Sequence, residues 1–429
     1  MCLGDTPALN WLGGFKEAVS KANKFCRMCL IEKKQQPAFC ELDVVRRDKV
    51  AHDFILERMH NEKDPQIASQ ISIKCGINTD FFLTGIDNFD HTMCLLQDPM
   101  HIFFEGICHL ELSKFLNYSF KYKLFDLVYL NSRIRSFNYF YSDKNDRPNE
   151  IDKNNLDKAT FTQTSGQMII LFNNLPLLIG EKFTSDNLFL KNFIRLINII
   201  NVCLCYYYDS TTILHLKSEI EKYLKSFKEL YPDVQFTPKM HFLIHLPNQM
   251  KEFGPLRLHS TIRFEAKNGL MKSQKFVNFK HIQKSISYRQ EHWMLMNVCD
   301  EDFNLKKNVL PRDFEWDKKS VIVNRFRYNI GSFIMLNDFE RIKQFGKIIE
   351  IIEINDKNIC FKIDIYKVDY YSELVNCFIC KKLYLDARNQ NSSSVFLDNL
   401  INKQPVIFFE KEEVVKIQIR YFNRFLTKI

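Results

Sequence analysis

Apolar and polar positions keep several different rhythms along the 429-residue chain. The first hundred residues alternate short apolar runs with turn residues at Gly13-Gly14, Pro37, Asp64-Pro65, Gly76 and Gly85. From Asp98 the pattern becomes helical, with Met100, Ile102, Phe103, Phe104, Ile107 and Leu110 on one face that continues towards Tyr122. Residues 143–159 are polar and read as a loop. Apolar residues at three- and four-residue steps then predict long helices over about Thr164–Ile179, Asn187–Tyr208 and Thr211–Tyr231, the last stopped by Pro232. A further helix covers roughly Lys239–Phe253 and ends at Gly254-Pro255; another starts near Arg263 and runs past Lys272. Beyond about Ser320 the period shortens. Val321-Ile-Val, Ser332-Phe-Ile-Met-Leu, Lys347–Ile352, Cys360–Ile365, Val406-Ile-Phe-Phe and Val414–Ile419 are strand-like runs separated by turns. Their spacing predicts a small antiparallel β-barrel of the SH3-like or Tudor-like kind. The Asn-Gln-Asn-Ser-Ser-Ser stretch at 389–394 reads as a loop.

Composition narrows this picture only a little. A hydrophobic content of 46% is ample for a core, and the length allows two or three domains. The abundance of Phe, Lys, Asn and Ile is what an AT-rich coding bias produces. The formal charge of +9 permits a polyanionic partner, but 60 basic and 51 acidic residues are well mixed along the chain, as simple solubility also requires. Thirteen cysteines, an odd number in a Lys-rich chain, suggest a reducing compartment where Cys clusters bind metal or sit in cores. Met1–Asp5 does not read as a signal peptide. The most apolar helical stretch, Asn192–Tyr208, is interrupted by Arg195, Asn198 and Asn201. It predicts a buried helix of a soluble protein, with no membrane partner.

Two spacings carry chemistry. Cys26-Arg-Met-Cys29 can share one ion through a tight turn, and His241 and His245, one helical turn apart, point the same way. Together they supply the four ligands of a closed tetrahedral zinc site, which would staple residues 26–29 to 241–245. Taken separately, they also fit two core thiols and two helix-face imidazoles satisfied by carbonyls. The pair fits metalloprotease chemistry poorly, because that needs Glu after the first His and Phe242 stands there.

Gly4-Asp5-Thr-Pro-Ala-Leu-Asn-Trp-Leu-Gly-Gly-Phe15 followed by Cys26-x2-Cys29 resembles the segment around the second catalytic Asp of CACTA-type cut-and-paste DNA transposases. Asp98-Pro-Met-His101, followed by Ile-Phe-Phe-Glu105-Gly, is similar to that family's D-x2-H helix. Pro238–Pro247, Phe253-Gly-Pro-Leu and Arg263-Phe-Glu265-Ala-Lys resemble the block that carries its third acid. The order of these blocks, over about residues 3–280, also resembles the catalytic subunit of the V(D)J recombinase.

The resemblance implies an α/β fold: a truncated RNase H-like core over 1–99 with the CxxC half-site, a helical insertion at 100–237, and a return to the core at 238–300. The barrel would follow at 320–429. It further implies Asp5 as the second acid and Glu265 as the third, holding Mg²⁺ or Mn²⁺ for phosphodiester cleavage and strand transfer. Each also has a plainer role: Asp5 as a turn-initiating acid and Glu265 as a first-turn helix acid. Asp98 and His101 would support the site from behind, or serve as a helix-start Asp and a core His. The family's first Asp lies upstream of the second, and only four residues precede Asp5, so catalysis is expected to be lost. DNA is then the expected partner and the nucleus the expected compartment. Chromatin contact through the barrel and self-association are compatible with this reading. The alternative is a non-catalytic, zinc-stapled DNA- or chromatin-binding protein.

Overall fold

The computed structural model describes residues 2–35, 44–78, 86, 89–206, 208–265, 281–298, 314–317, 319–323, 326–336, 344–355, 358–383, 392–397, 400, 402–411 and 414–420. The chain forms two compact units. One comprises Met1–Ile262, Glu373–Asn376 and Arg420–Ile429; the other comprises Arg263–Ser372 and Cys377–Ile419.

The first unit is helical. It contains α1 (Thr6–Leu12), α2 (Lys49–Asn61), α3 (Pro65–Cys75), α4 (His91–Cys94), α5 (Pro99–Ile102), α6 (Cys108–Lys121), α7 (Leu127–Ser136), α8 (Lys153–Asp157), α9 (Ser165–Ile179), α10 (Leu188–Cys203), α11 (Ser210–Leu230), α12 (Pro238–Phe242) and α13 (Leu246–Phe253). Local chemistry sets their starts. Asp5, Asp48, Asp64, Asp98, Asp126, Asp152 and Asp209 each accept a hydrogen bond from a main-chain N–H of the turn they cap. Thr164 and Gln167 form a reciprocal capping box at α9. Pro65, Pro99 and Pro238 open their helices, where a missing N–H removes no bond.

The core lies where α6, α9, α10 and α11 pack. Phe193 stacks on Phe115 at 4.7 Å and on Phe172 at 4.8 Å between ring centroids. Leu112, Leu171, Leu196, Leu216 and Ile220 are fully buried around them. The expected buried character of α10 is therefore present, and no helix among the described residues is long and apolar enough to cross a membrane.

Several expectations need correction. The second long helix ends at Cys203 rather than Tyr208. Residues 143–159 are not all loop: a 3₁₀ turn covers Tyr141–Asp146, and α8 is capped by Asp152 and held by buried Leu156. A polar stretch with one buried anchor leaves no periodicity to read. The segment from Asp98 to Lys121 is helical throughout but includes a π-turn at Phe103–Ile107. The helix expected from Arg263 past Lys272 begins with residues 262–265, and its remainder lies outside the described residues. In the first hundred positions, the described residues form α1–α5 together with three isolated bridges, Cys2–Leu95, Phe15–Ile77 and Cys29–Arg46.

The second unit contains helix α14 (Ile282–Val298) and then strands. β1 (Phe314–Asp317), β2 (Ser320–Val323) and β3 (Phe326–Asn329) make an antiparallel three-stranded sheet. β4 (Phe333–Met335), β5 (Gln344–Asn355), β6 (Asn358–Ser372), β7 (Cys377–Lys382), β9 (Asn402–Lys411) and β10 (Val414–Gln418) run in the order β5-β4-β9-β10-β7-β6, and β6 pairs back onto β5. The antiparallel barrel is thereby closed and presents no free sheet edge within that ring. β8 (Ser392–Phe396) adds to β6 through Cys360–Asp364, so the expected loop at 389–394 gives way to a strand at its end. Register shifts at Ile348/Glu350 and Val368/Tyr370 let the two longest strands bend around the barrel. Ile334, Ile348, Phe361 and Ile363 form one buried cluster with Val321 and Tyr328 of the three-stranded sheet, and on the opposite face of the wall Phe345 meets Phe378 at 6.0 Å.

One buried group of the helical unit gives a test of the packing. Glu111 on α6 is fully buried, and its carboxyl accepts a hydrogen bond of 2.9 Å from the Tyr223 hydroxyl. Burial raises its pKa from 4.5 to about 8, only partly offset by that bond. The folded value exceeds the unfolded one, so Glu111 stabilises the fold fully below about pH 4.5, and that contribution is lost as pH rises through about 8. Urea melts at rising pH should show stability falling by a few kcal/mol over this window. Glu111→Gln should flatten the fall. Parallel curves for both proteins would exclude a neutral buried Glu111.

Candidate metal centre

Cys26 and Cys29 lie on a tight turn between the 3₁₀ turn Val19–Lys21 and a short antiparallel return. Leu30 N–H donates to Val45 O, and Arg47 N–H donates to Met28 O. This folds the turn back so that both sulfurs face inward, and Met28 N–H donates to Cys26 Sγ at 3.4 Å. The histidines come from the other end of the helical unit. Thr237 caps α12 with Pro238 at its first position, which sets His241 on that helix. His245 follows in a 3₁₀ turn, Leu243–His245, before α13. The single helix expected over Lys239–Phe253 is thus three pieces. Pro247 explains the break: it brings no N–H for the Leu243 carbonyl, and the turn ahead of it tightens. The i, i+4 spacing survives, so both imidazoles still share a side.

Cys29 Sγ lies 3.2 Å from His241 Nε2, and Cys26 Sγ lies 3.3 Å from His245 Nε2. The two Nε2 atoms are 3.2 Å apart, and all four ligand atoms fall within 4.8 Å of one another. Nitrogen and sulfur ligands at about 2.0–2.3 Å around one tetrahedral ion stand roughly 3.3–3.8 Å from each other. The donor set, two thiols and two imidazoles, is that of a structural zinc site; the three short separations sit at the lower edge of that range, and the full set spreads no wider than 4.8 Å. All four residues are buried, His245 the most exposed at 5%. A buried Cys₂His₂ cluster that could hold a metal such as zinc is therefore present, with no side left for substrate.

The surroundings favour a thiolate at Cys26 and a thiol at Cys29. Burial raises both thiols, but hydrogen bonding with Cys29 and the charge of His245 outweigh it and hold Cys26 well below the usual thiol range. Cys29 is pushed up, by burial and then by its bond with Cys26. Burial holds His241 below its ordinary value, keeping it neutral and able to ligate. Phe25 packs edge-on against the His241 ring at 5.3 Å.

Two buried arginines that the sequence reading did not single out build the frame. Arg47 donates from Nε to Cys26 O at 2.6 Å, and from Nη2 to Lys24 O at 2.7 Å and Cys75 O at 2.9 Å. Gly76, in the left-handed region at φ 73°, makes room for this: a Cβ there would lie 2.1 Å from Lys24 O. Arg27 donates to Leu95 O at 2.9 Å, Leu96 O at 2.5 Å and Asn10 Oδ1 at 3.2 Å. Burial lowers its pKa to about 10, with Cys26, Asp98 and Asp5 nearby holding the charge. The only sequence signal was an Arg inside the CxxC turn.

The other expected residues fall as follows. Asp98 caps α5 and accepts from Met100 N–H at 3.1 Å, His101 N–H at 3.3 Å, Thr261 N–H at 3.1 Å and Thr261 Oγ1 at 2.5 Å, besides His101 Nδ1. These bonds outweigh burial and hold its carboxyl below the usual range. Thr261 carried no motif signal. Asp5 is half-buried and caps α1 through Oδ1, 2.8 Å from Ala8 N–H. Glu265 is exposed in the turn of residues 262–265; it belongs to the second unit and Asp5 to the first. Asp5, Asp98 and Thr261 thus gather near Arg27, whereas the Cys/His cluster is the group of three or more potential metal ligands found among the described residues.

No protein-family model, curated protein or solved structure matches the chain. The chemistry of the cluster is directly measurable. Purified protein should carry about one zinc per chain, and a strong chelator should lower its melting temperature. Cys26→Ser and His245→Ala should each lose the metal. Elemental analysis finding none in the native chain, or unchanged zinc in both variants, would reject the site.

Proposed function

We propose that this chain is a transposase-derived, zinc-stapled DNA-binding protein, whose ancestor cleaved and rejoined DNA with Mg²⁺ or Mn²⁺. One observation carries the reading. Blocks of sequence around Asp5 and Cys26–Cys29, around Asp98–His101, and around His241–Thr261 meet through Arg27, the Asp98–Thr261 bonds and the Cys/His cluster. Their order along the chain is that of CACTA-type transposases. On this reading, residues 1–99 with 238–300 are what remains of an RNase H-like core, and 100–237 are its helical insertion. Asp5 and Glu265 descend from the second and third metal-binding acids. DNA is the partner, contacted in the nucleus through phosphates, with chromatin contact assigned to the barrel.

The non-catalytic form of this reading has its own support. Asp5 directs a carboxylate oxygen at the first turn of α1, a role that any helix-capping Asp fills without a metal. The Cys/His cluster, closed on all sides, stabilises rather than reacts.

Two measurements test this reading. With Mg²⁺ or Mn²⁺, the chain should nick or join DNA no more than its Glu265→Ala variant does; cleavage that needs Glu265 would establish a working active site. Duplex binding, followed by fluorescence anisotropy, should be weak, indifferent to sequence, and should fall steeply between low and physiological salt. Tight, salt-insensitive, sequence-specific binding would contradict a phosphate-directed contact.

A further inference from the structure

A π-turn, Phe103–Ile107, separates α5 from α6. Such turns are rare, and they re-aim side chains, often at functional places. This one carries Glu105, whose side chain is 48% exposed and whose Oε2 lies 3.5 Å from Nε2 of His101. The His101 side chain is 16% exposed, and its other ring nitrogen, Nδ1, is bonded to the buried Asp98 carboxylate. Because the Asp98 carboxylate accepts, Nδ1 holds a proton, and Nε2 faces Glu105; the hydrogen bond and charge of Asp98, with the charge of Glu105, outweigh burial and hold the imidazole above its ordinary pKa, so a cation at Nε2 takes the place of a proton there. Asp98 is itself immobilised by both the main chain and the hydroxyl of Thr261. A carboxylate behind one imidazole nitrogen is the device that orients histidine ligands in metal sites.

The neighbouring backbone is equally constrained. Lys239 Nζ donates to Glu105 O at 2.6 Å, which ties the π-turn by its main chain and leaves the carboxylate to face His101. The stem of Lys239 passes so close to Gly106 that a Cβ there would lie 2.3 Å from its Cδ. None of these groups contributes to the Cys/His cluster.

We propose that His101 Nε2 and the Glu105 carboxylate form a solvent-facing site for a borderline divalent cation of the Mn²⁺, Co²⁺ or Zn²⁺ class, with water completing the coordination. Two ligands at about 2.1 Å from one ion, spread by roughly 110°, stand about 3.4 Å apart, and the observed separation is 3.5 Å. One imidazole nitrogen with one carboxylate suits these ions better than Mg²⁺ or Ca²⁺, which favour oxygen alone. The site shares no residue with the buried cluster or with Asp5 and Glu265, so its failure would leave both of those readings standing.

Mn²⁺ is the probe, because thiolates bind it poorly and the Cys/His cluster will not report it. The full chain, zinc-loaded and freed of excess metal, is titrated with Mn²⁺ at pH 8, with free ion followed by electron paramagnetic resonance. One Mn²⁺ should bind per chain, and His101→Ala and Glu105→Gln should each weaken it about tenfold or more, whereas Asp5→Asn and Glu265→Ala should not. Glu105 is half-exposed, so the Gln variant is expected to fold, and its melting temperature checks this. Binding that survives both variants, binding lost with Asp5→Asn or Glu265→Ala instead, or no binding up to about millimolar Mn²⁺ would overturn the proposal. The last result would leave His101 and Glu105 as a simple intrahelical ion pair.

Discussion

The helical unit depends on bringing Cys26–Cys29 against His241–His245 across a sequence separation of 219 residues between Cys26 and His245. Closing a loop of that length is expensive in chain entropy, though the cost grows only with the logarithm of length. Nothing local rewards it. The offset comes from the core helices packed between the two ends and from the four-ligand cluster itself. A metal that binds only the closed arrangement adds its binding free energy to folding. The cluster shares its core with Phe25, Met240 and Leu246, so loosening it also exposes apolar surface.

Charge balance makes such a cluster tolerable in a core. Two thiolates and a divalent cation sum to zero, whereas two thiolates alone would not stay buried. Arg27 and Arg47 stand close enough to the cysteines to be held charged by them, yet each guanidinium is also used up on carbonyl oxygens. Those carbonyls belong to Lys24, Cys26, Cys75, Leu95 and Leu96, none of which is paired in a regular sheet. The arginines therefore do for an irregular backbone what a β-ladder does elsewhere. Removing either would strand several buried acceptors at once, which explains why a loop-rich segment can be so deeply buried.

What the sequence displayed, and what it hid, follows from the same distinction. Long helices with one apolar face, α9 to α11, were legible because periodicity and caps agree at Thr164, Asn187 and Asp209. The barrel was legible as a class from its alternating strand runs, but β1, β3, β7 and β8 were not seen. Its closure was hidden as well, because the pairing of β5 with β6 is a matter of register rather than of composition. The four metal ligands were visible because zinc chemistry fixes their spacing within each pair. Arg47 and Thr261 were not, since each acts through a partner far away in sequence. Pro247 was a local signal for the broken histidine helix, outweighed in reading by the apolar repeat around it.

Buried polar groups finally divide the molecule into two kinds of interior. Around Asp98, one carboxylate meets donors from its own helix and from Thr261, and it remains ionised although only 5% exposed. Around Glu111, a carboxyl of equal chemistry has a single tyrosine donor among the described residues and is driven towards the neutral form. Burial raises both carboxyls, and the difference lies in how many N–H and O–H groups meet each one: several outweigh it at Asp98, and one does not at Glu111. A helix start offers several such groups, and the middle of a helix offers none. Of these two buried acids, the one at a helix start stays ionised and the one in mid-helix does not. Asp5, Asp98 and the Cys/His turn all lie at helix starts or on irregular backbone, apart from the bundle core.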